Sequence, residues 1–258
     1  MSRRPSPRSP SIEEQEADSA VLYDLSQPIE NGMSYVPGDP EPQVAPWPLD
    51  PPWRVSALHL STHCGTHLDA PSHVGAGATI DDLPLERLIS RGVVIDVTGK
   101  QAGDRIGLDD VGAARTSLQE GAWAILRTGW SRHWRTPAYL HHPVVDPALA
   151  DALVEWDVGL LAVDMLNPDD TAAGTSTIHE ILLPAGVLIV ENLTGLDQLA
   201  AGRLYTFALL PIKLAGLDGA PVRAVAWGDY SPRSSRELLR RRSPPRATLP
   251  PDGSIQAV

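Results

Sequence analysis

The chain of 258 residues predicts one mixed α/β domain on a large, mostly antiparallel or mixed β-sheet, flanked by two tails. Three observations carry this. Short apolar, β-branched runs recur along the chain, few segments carry a convincing helical pattern, and both ends are rich in Pro, Ser and Arg but poor in large apolar residues.

Residues 1–20 and 233–258 cannot bury enough apolar surface to offset ordering, so they are expected to be disordered around a folded body over 21–232. Within it the expected strands are VLYDLS (21–26), VSALHLS (55–61), GVVIDVT (92–98), AWAILRT (122–128), GLLAVDM (159–165), GVLIVENL (186–193), LYTFALLP (204–211) and PVRAVAW (221–227). Two helices are expected. One is LDDVGAARTSL (108–118), which Asp109 or Asp110 could cap; the other is DPALADALVEW (146–156), with Asp146 as N-cap and Pro147 at the first helical position.

Composition excludes several functions. Uninterrupted apolar stretches such as VLIV (187–190) and AWAIL (122–126) are far short of the roughly 20 residues of a membrane span. The N-terminus is basic, then acidic, with no apolar run behind its arginines, and so does not read as a secretory signal. With Cys64 as the only cysteine, no intrachain disulfide can form and a cytoplasmic location is expected. Net charge is −11, and the body between the tails holds 12 basic against 26 acidic residues, which should repel nucleic acid. A small-molecule substrate is the expected partner.

STHCGTHLDAPSHVG (61–75) concentrates the chemistry. With His59 just upstream, half of the eight histidines fall between 59 and 73. His63, His67, Asp69 and His73 share even parity, so an extended backbone would turn them to one face, and i, i+4 pairs would also meet on a helix. Pro71 resists both a regular helix and an interior strand position, which suggests a strand end running into a tight loop. Imidazoles with a carboxylate suit Zn²⁺, Mn²⁺ or Fe²⁺, and three protein ligands leave a position open. The intervening Cys64 should be an inert, packed thiol and His59 an ordinary strand residue. A second group lies at STIHEILLPAGVLIVENLTGL (176–196): His179 opens a short turn, and Glu191 ends an apolar strand that could not hold an unpaired carboxylate without cost. The tryptophans at 47, 53, 123, 130 and 134 could line an aromatic site or simply fill core.

HCGTHLDAPSH resembles the HxGTHxDxPxH signature of the cyclase family of metal-dependent hydrolases, and DLSQPIENGMSYVPGDPE (24–41) and LLPAGVLIVENLTGLDQL (182–199) resemble further segments of that family. The resemblance implies a swivelling β/β/α fold, assembled as a homodimer or dimer of dimers. It implies that His63, His67 and Asp69 hold a first metal, that Asp69, His179 and Glu191 hold a second, and that His73 is the acid/base residue. The ions would be Zn²⁺ or Mn²⁺, one or two per chain. The implied reaction is hydrolysis of an amide of a small, aromatic N-acyl or cyclic substrate by activated water, with a lactone-forming or dehydrating cyclase as the alternative. Residues 164–179 lack the serine- and proline-rich pattern of kynurenine formamidases, and Val36 replaces an aromatic residue before the proline. Both changes sit where substrate would be lined, so the resemblance fixes a reaction class rather than one substrate.

Overall fold

The computed structural model describes residues 21–119 and 121–228. The expected disordered tails, and residues 229–232 at the end of the expected body, lie outside the described residues. The strands are β1 (Leu22–Asp24), β2 (Gln43–Trp47), β3 (Val55–His59), β4 (His67–Asp69), β5 (Ile89–Asp96), β6 (Arg105–Ile106), β7 (Trp123–Arg127), β8 (Val144–Val145), β9 (Leu160–Val163), β10 (Leu188–Glu191), β11 (Leu204–Pro211) and β12 (Gly219–Trp227). The helices are α1 (Leu108–Val111), α2 (Ala114–Gln119), α3 (Pro147–Glu155) and α4 (Thr177–Leu182).

One sheet runs β1-β12-β11-β5-β7-β9-β10-β4, and β4 pairs back onto β12. Seven strands thereby close into a barrel. β12 is long enough for this: Gly219–Pro221 pair with β4, while Val225–Trp227 pair with β1. The neighbours β5, β7, β9 and β10 are parallel and the other pairings antiparallel, so the sheet is mixed as expected.

Period-2 alternation along the parallel strands sorts side chains into two cores. Val94, Ile125, Leu160, Ala162, Leu188 and Val190 join Leu68, Phe207 and Ala224 inside the barrel. Val93, Ile95, Leu126, Leu161, Val163 and Ile189 point outward, where they are covered by Leu118 of α2, Leu149 and Leu153 of α3, and Ile178 and Leu182 of α4. This is the β/β/α layering of a single α/β domain, and it buries both faces of the central strands.

Local chemistry explains most elements. Asp146 accepts the Ala148 N–H at 2.9 Å and Pro147 opens α3, as its start signals predict. The single helix expected over 108–118 is instead two short ones. Gly112, at φ +51° and ψ −131°, takes a backbone that L side chains rarely adopt and breaks the helix between Val111 and Ala114. β2 was not among the expected strands, because Pro46 interrupts its pattern. It forms with β3 a hairpin outside the barrel sheet, leaving Trp47, Leu49, Trp53, Val55 and Leu58 exposed.

Candidate active site

Register builds the site. Leu68 points into the barrel, so alternation sends His67 and Asp69 to the outer face of β4. Across β10, Glu191 pairs with His67 and Ile189 with Asp69; across β12, Gly219 pairs with Asp69. The junction of these three strands therefore gathers two carboxylates and an imidazole on one patch. α4 packs over that patch on Ile178 and Leu182 and brings His179 to it.

The shared parity expected from His63 to His73 holds only for His67 and Asp69. Gly65 turns at φ +62°, and Pro71–Val74 form a 3-10 turn in which the His73 N–H donates to Ala70 O at 2.9 Å. His63 and His73 still arrive at the same cleft, carried by turns rather than by strand alternation. The cleft, about 760 Å³, is lined by His63, His67, Asp69, His73, His179 and Glu191 together with Asp218. All the residues singled out for metal binding and proton transfer are thus in one place.

Each imidazole is oriented by its second nitrogen. His67 Nδ1–H donates to Gly65 O at 2.8 Å, which leaves Nε2 3.3 Å from both Asp69 Oδ1 and Glu191 Oε2. His179 Nδ1–H donates to Asp169 Oδ2 at 2.6 Å, which leaves Nε2 3.2 Å from Glu191 Oε1 and 3.6 Å from Asp69 Oδ2. Asp169 also accepts the Ile178 and His179 backbone N–H groups, fixing the start of α4. His63 Nδ1 lies 2.7 Å from Asp69 Oδ1 and its Nε2 2.9 Å from Asp218 Oδ2; the same Oδ2 lies 3.0 Å from His73 Nδ1. His63 and His73 rings nearly stack, with centroids 3.9 Å apart.

Electrostatics show what the patch lacks. Asp69 and Glu191 are 0% and 3% exposed, yet Asp69 Oδ2 and Glu191 Oε1 have no hydrogen-bond partner. Burial opposes the charge on His63, His67, Asp69 and His179, and the neighbours outweigh it. Asp69 is held well below the usual carboxylate range by His67 and His63, and His67 and His179 are held well above the usual histidine range by the carboxylates around them. Asp218, buried only in part, is lowered to about 2 because the hydrogen bonds from His63 and His73 exceed the effect of burial. Such a cluster demands positive charge, and a divalent cation meets that demand by displacing protons from the imidazoles. Ligand atoms of three sets lie within 4.8 Å of one another, the reach of one ion: His63, His67 and Asp69; Asp69, His179 and Glu191; and the less buried His63, His73 and Asp218. Asp69 belongs to the first two sets and His63 to the first and third.

Glu191, at the end of β10, is buried rather than solvated. Cys64 is fully buried and burial pushes its thiol up, consistent with a packed, inert group, and His59 is an exposed residue of β3. Trp123 and Trp130 are buried core, Trp134 packs against core, and Trp47 and Trp53 lie on the hairpin, so these indoles do not line the cleft. Sequence reasoning missed Asp218 and Asp169. Asp218 stands alone in GLDG, which reads as a turn, and Asp169 sits in a loop whose fold cannot be read from spacing.

Residues 23–170 match the family model described as "Putative cyclase". The kynurenine formamidase of Paracidovorax citrulli (strain AAC00-1) is 33% identical over 218 residues, covering 80% of this chain and 95% of the relative. An isatin hydrolase bound to the product analogue thioisatinate shares the fold at a TM-score of 0.74 and 21% identity, over 83% of this chain and 95% of that one. A predicted metal-dependent hydrolase from Bacillus stearothermophilus matches at a TM-score of 0.69 and 29% identity, over 81% of this chain and 98% of that one.

Proposed function

We propose, from the premise that this chain belongs to the cyclase family, that it is a divalent-metal-dependent hydrolase cleaving the amide bond of a small aromatic N-acyl or cyclic amide. The observation that carries this reading is the pair of buried carboxylate oxygens, Asp69 Oδ2 and Glu191 Oε1, that accept no hydrogen bond although they are set among three imidazoles, with His179 Nε2 3.6 and 3.2 Å away. His63, His67 and Asp69 hold one ion, and Asp69, His179 and Glu191 hold a second where two are bound; Zn²⁺ and Mn²⁺ both suit nitrogen and oxygen donors. A bound ion supplies Lewis-acid polarisation of a carbonyl and a nucleophilic water at neutral pH.

The chain's own groups supply the rest. His73 lies at the open side of the cleft, with its side chain one-third exposed, and moves a proton to the leaving nitrogen. Val36, Asn167, Thr175 and Ser176 wall the cleft, and they fall in the two segments that depart from the kynurenine formamidase pattern. A neighbouring cavity of about 520 Å³, lined by Met33, Tyr35, Pro37 and Leu140, shares Asp39 with the cleft and offers apolar surface for an aryl group. That kynurenine formamidases are among the relatives supports an aryl amide as substrate class.

Assembly as a homodimer or dimer of dimers is part of this proposal. It is supported by the large apolar side chains that the β2–β3 hairpin exposes. A cytoplasmic location is supported by the single cysteine, and no described helix is long and apolar enough to cross a membrane.

The test is a panel of aromatic amides and lactams, including N-formylkynurenine and isatin, assayed with added Zn²⁺ or Mn²⁺. Hydrolysis of at least one member, lost on chelation and restored by metal, is expected. Metal-loaded protein that hydrolyses none but closes a lactone would move the assignment to the cyclase alternative.

A further inference from the structure

Asp218 is a carboxylate of the cleft outside both metal-ligating groups proposed above, and beside Asp39 and Glu180, which also line the cleft, it is set apart by being shared between two histidines of different role. Its Oδ2 lies 2.9 Å from His63 Nε2 and 3.0 Å from His73 Nδ1, and its Oδ1 accepts the Thr62 hydroxyl at 3.1 Å. Its backbone is pinned as well: Asp218 O accepts the Ala70 N–H at 2.9 Å, and the preceding Leu217 O accepts the Ile80 N–H at 2.8 Å. The carboxylate is therefore held from both ends, directly behind β4 and the 3-10 turn that carries His73.

Gly219 completes the arrangement. A Cβ there would lie 2.6 Å from His63 Cε1, 3.1 Å from His63 Nδ1 and 3.1 Å from Leu68 O. Only a residue without a side chain lets the imidazole come this close to the first residue of β12. The dipeptide Asp218–Gly219 thus makes a seat for His63, with the carboxylate on one ring nitrogen and bare backbone under the ring.

We infer that Asp218 is a positioning residue that fixes which nitrogen each of two histidines presents to the reaction, Nδ1 of His63 toward Asp69 and Nε2 of His73 toward the cleft. Because an ionised carboxylate can only accept, it selects the tautomer with the proton on His63 Nε2 and on His73 Nδ1. Carboxylates behind metal-ligating histidines orient the ring and raise its basicity, and their loss costs 10- to 100-fold in metal affinity or activity. Here one carboxylate serves the ligand and the proton carrier together, so the position of His73 is tied to that of His63. The inference rests on the assignment of His63 as a ligand and His73 as the acid/base residue.

The experiment compares the parent with Asp218→Asn, Asp218→Ala, Gly219→Ala, His73→Ala and the double variant Asp218→Ala/His73→Ala, each checked for fold by circular dichroism and thermal unfolding. Zn²⁺ affinity is measured by competition with a chromophoric chelator, and kcat and KM at saturating Zn²⁺ on a panel amide that the parent hydrolyses. Asp218→Ala and Gly219→Ala are expected to weaken Zn²⁺ binding by about 10- to 100-fold. Asp218→Ala should also lower kcat at saturating Zn²⁺ with little change in KM, and Asp218→Asn, which keeps one acceptor oxygen, should recover part of both losses. In the His73→Ala background, removing Asp218 should still weaken Zn²⁺ binding but lower kcat no further. A purely structural role would give the same proportional loss of kcat in both backgrounds, and that result, or parent-like Zn²⁺ affinity in Asp218→Ala, overturns the inference. A parent chain that binds no Zn²⁺ instead overturns the metal-site reading beneath it.

Discussion

Glu191 and His67 are register partners on antiparallel β10 and β4, and their side chains meet with Oε2 3.3 Å from Nε2. This pair links the barrel's closure to its chemistry. The parallel strands deliver Glu191, β4 returns to close the sheet, and the seam leaves a buried carboxylate and a buried imidazole facing each other at the base of the cleft. The other oxygen, Oε1, faces His179 from α4.

Glu191→Ala is accordingly expected to lower Zn²⁺ affinity at least tenfold, and to cost the metal-free protein about 3–5 kcal/mol, because His67 and His179 lose a buried counter-charge. Equilibrium dialysis with Zn²⁺ and denaturant unfolding in chelator check the two effects. Parent-like dialysis curves would remove Glu191 from the ligand set.

His73→Ala should behave differently. His73 is the most exposed histidine of the cleft and is assigned to proton transfer rather than to either proposed ligand group, although its ligand atom also lies within 4.8 Å of those of His63 and Asp218, so the variant should keep its metal content while kcat falls by about 10²- to 10⁴-fold, the usual worth of a positioned general acid/base. Metal analysis beside steady-state hydrolysis separates it from the ligand variants. An unchanged rate would end the proton-transfer role.

Removal of metal offers a third check. Chelation should abolish hydrolysis and lower the thermal midpoint, since a ligand that binds only the folded state stabilises it in proportion to its saturation. Re-addition of Zn²⁺ or Mn²⁺ should restore both, and a midpoint indifferent to chelator would count against a metal in this cleft.

Local pattern made the central strands legible. β7, β9 and β10 are buried on both faces and so read as continuous apolar runs, and α3 announced itself through Asp146 and Pro147. The histidine cluster was legible for a different reason: donors packed this densely have few structural explanations. What failed were features set by distant partners. β4 is three residues, His67–Leu68–Asp69, two of them ionisable, and only its pairing with β10 and β12 makes it a strand. Asp218 reaches His63 across 155 residues of chain, and Asp169 reaches His179 through a loop; neither distance can be read from spacing. His63 and His73 converge on the cleft as expected but not through parity, because Gly65 and the 3-10 turn interrupt the extended backbone on which parity depends.

Packing gives a prediction independent of the site. Gly92 of β5 sits under the Phe207 ring and beside Ile125, and a Cβ there would lie 2.9 Å from two Phe207 ring carbons and 3.1 Å from Ile125 Cγ1. Phe207 is fully buried, so the ring has no free direction to move. Gly92→Ala is expected to destabilise the fold by about 1–3 kcal/mol through overpacking, a fall of roughly 2–12 °C in thermal midpoint. A midpoint that rose would show that the barrel interior has slack at this position.

Asp164, just beyond β9, gives a pH dependence whose sign can be worked out. It is 1% exposed, and burial raises its pKa from 3.8 to about 6 although the Thr128 N–H and hydroxyl and the Gly129 N–H all donate to it. Between about pH 4 and 6 the folded state therefore holds a proton that the unfolded state has released. Stability falls as pH rises wherever the folded state binds more protons, so this group's contribution declines across that window and levels off above it, by an amount on the order of 3 kcal/mol. Asp164→Asn keeps the volume and one acceptor but cannot ionise. Other titrating groups cancel when parent and variant are compared at the same pH. Urea unfolding at several values from pH 4 to 7 should show the parent losing ground to Asp164→Asn as pH rises, and a difference that stays flat would mean that Asp164 is as easily ionised in the fold as in the unfolded chain.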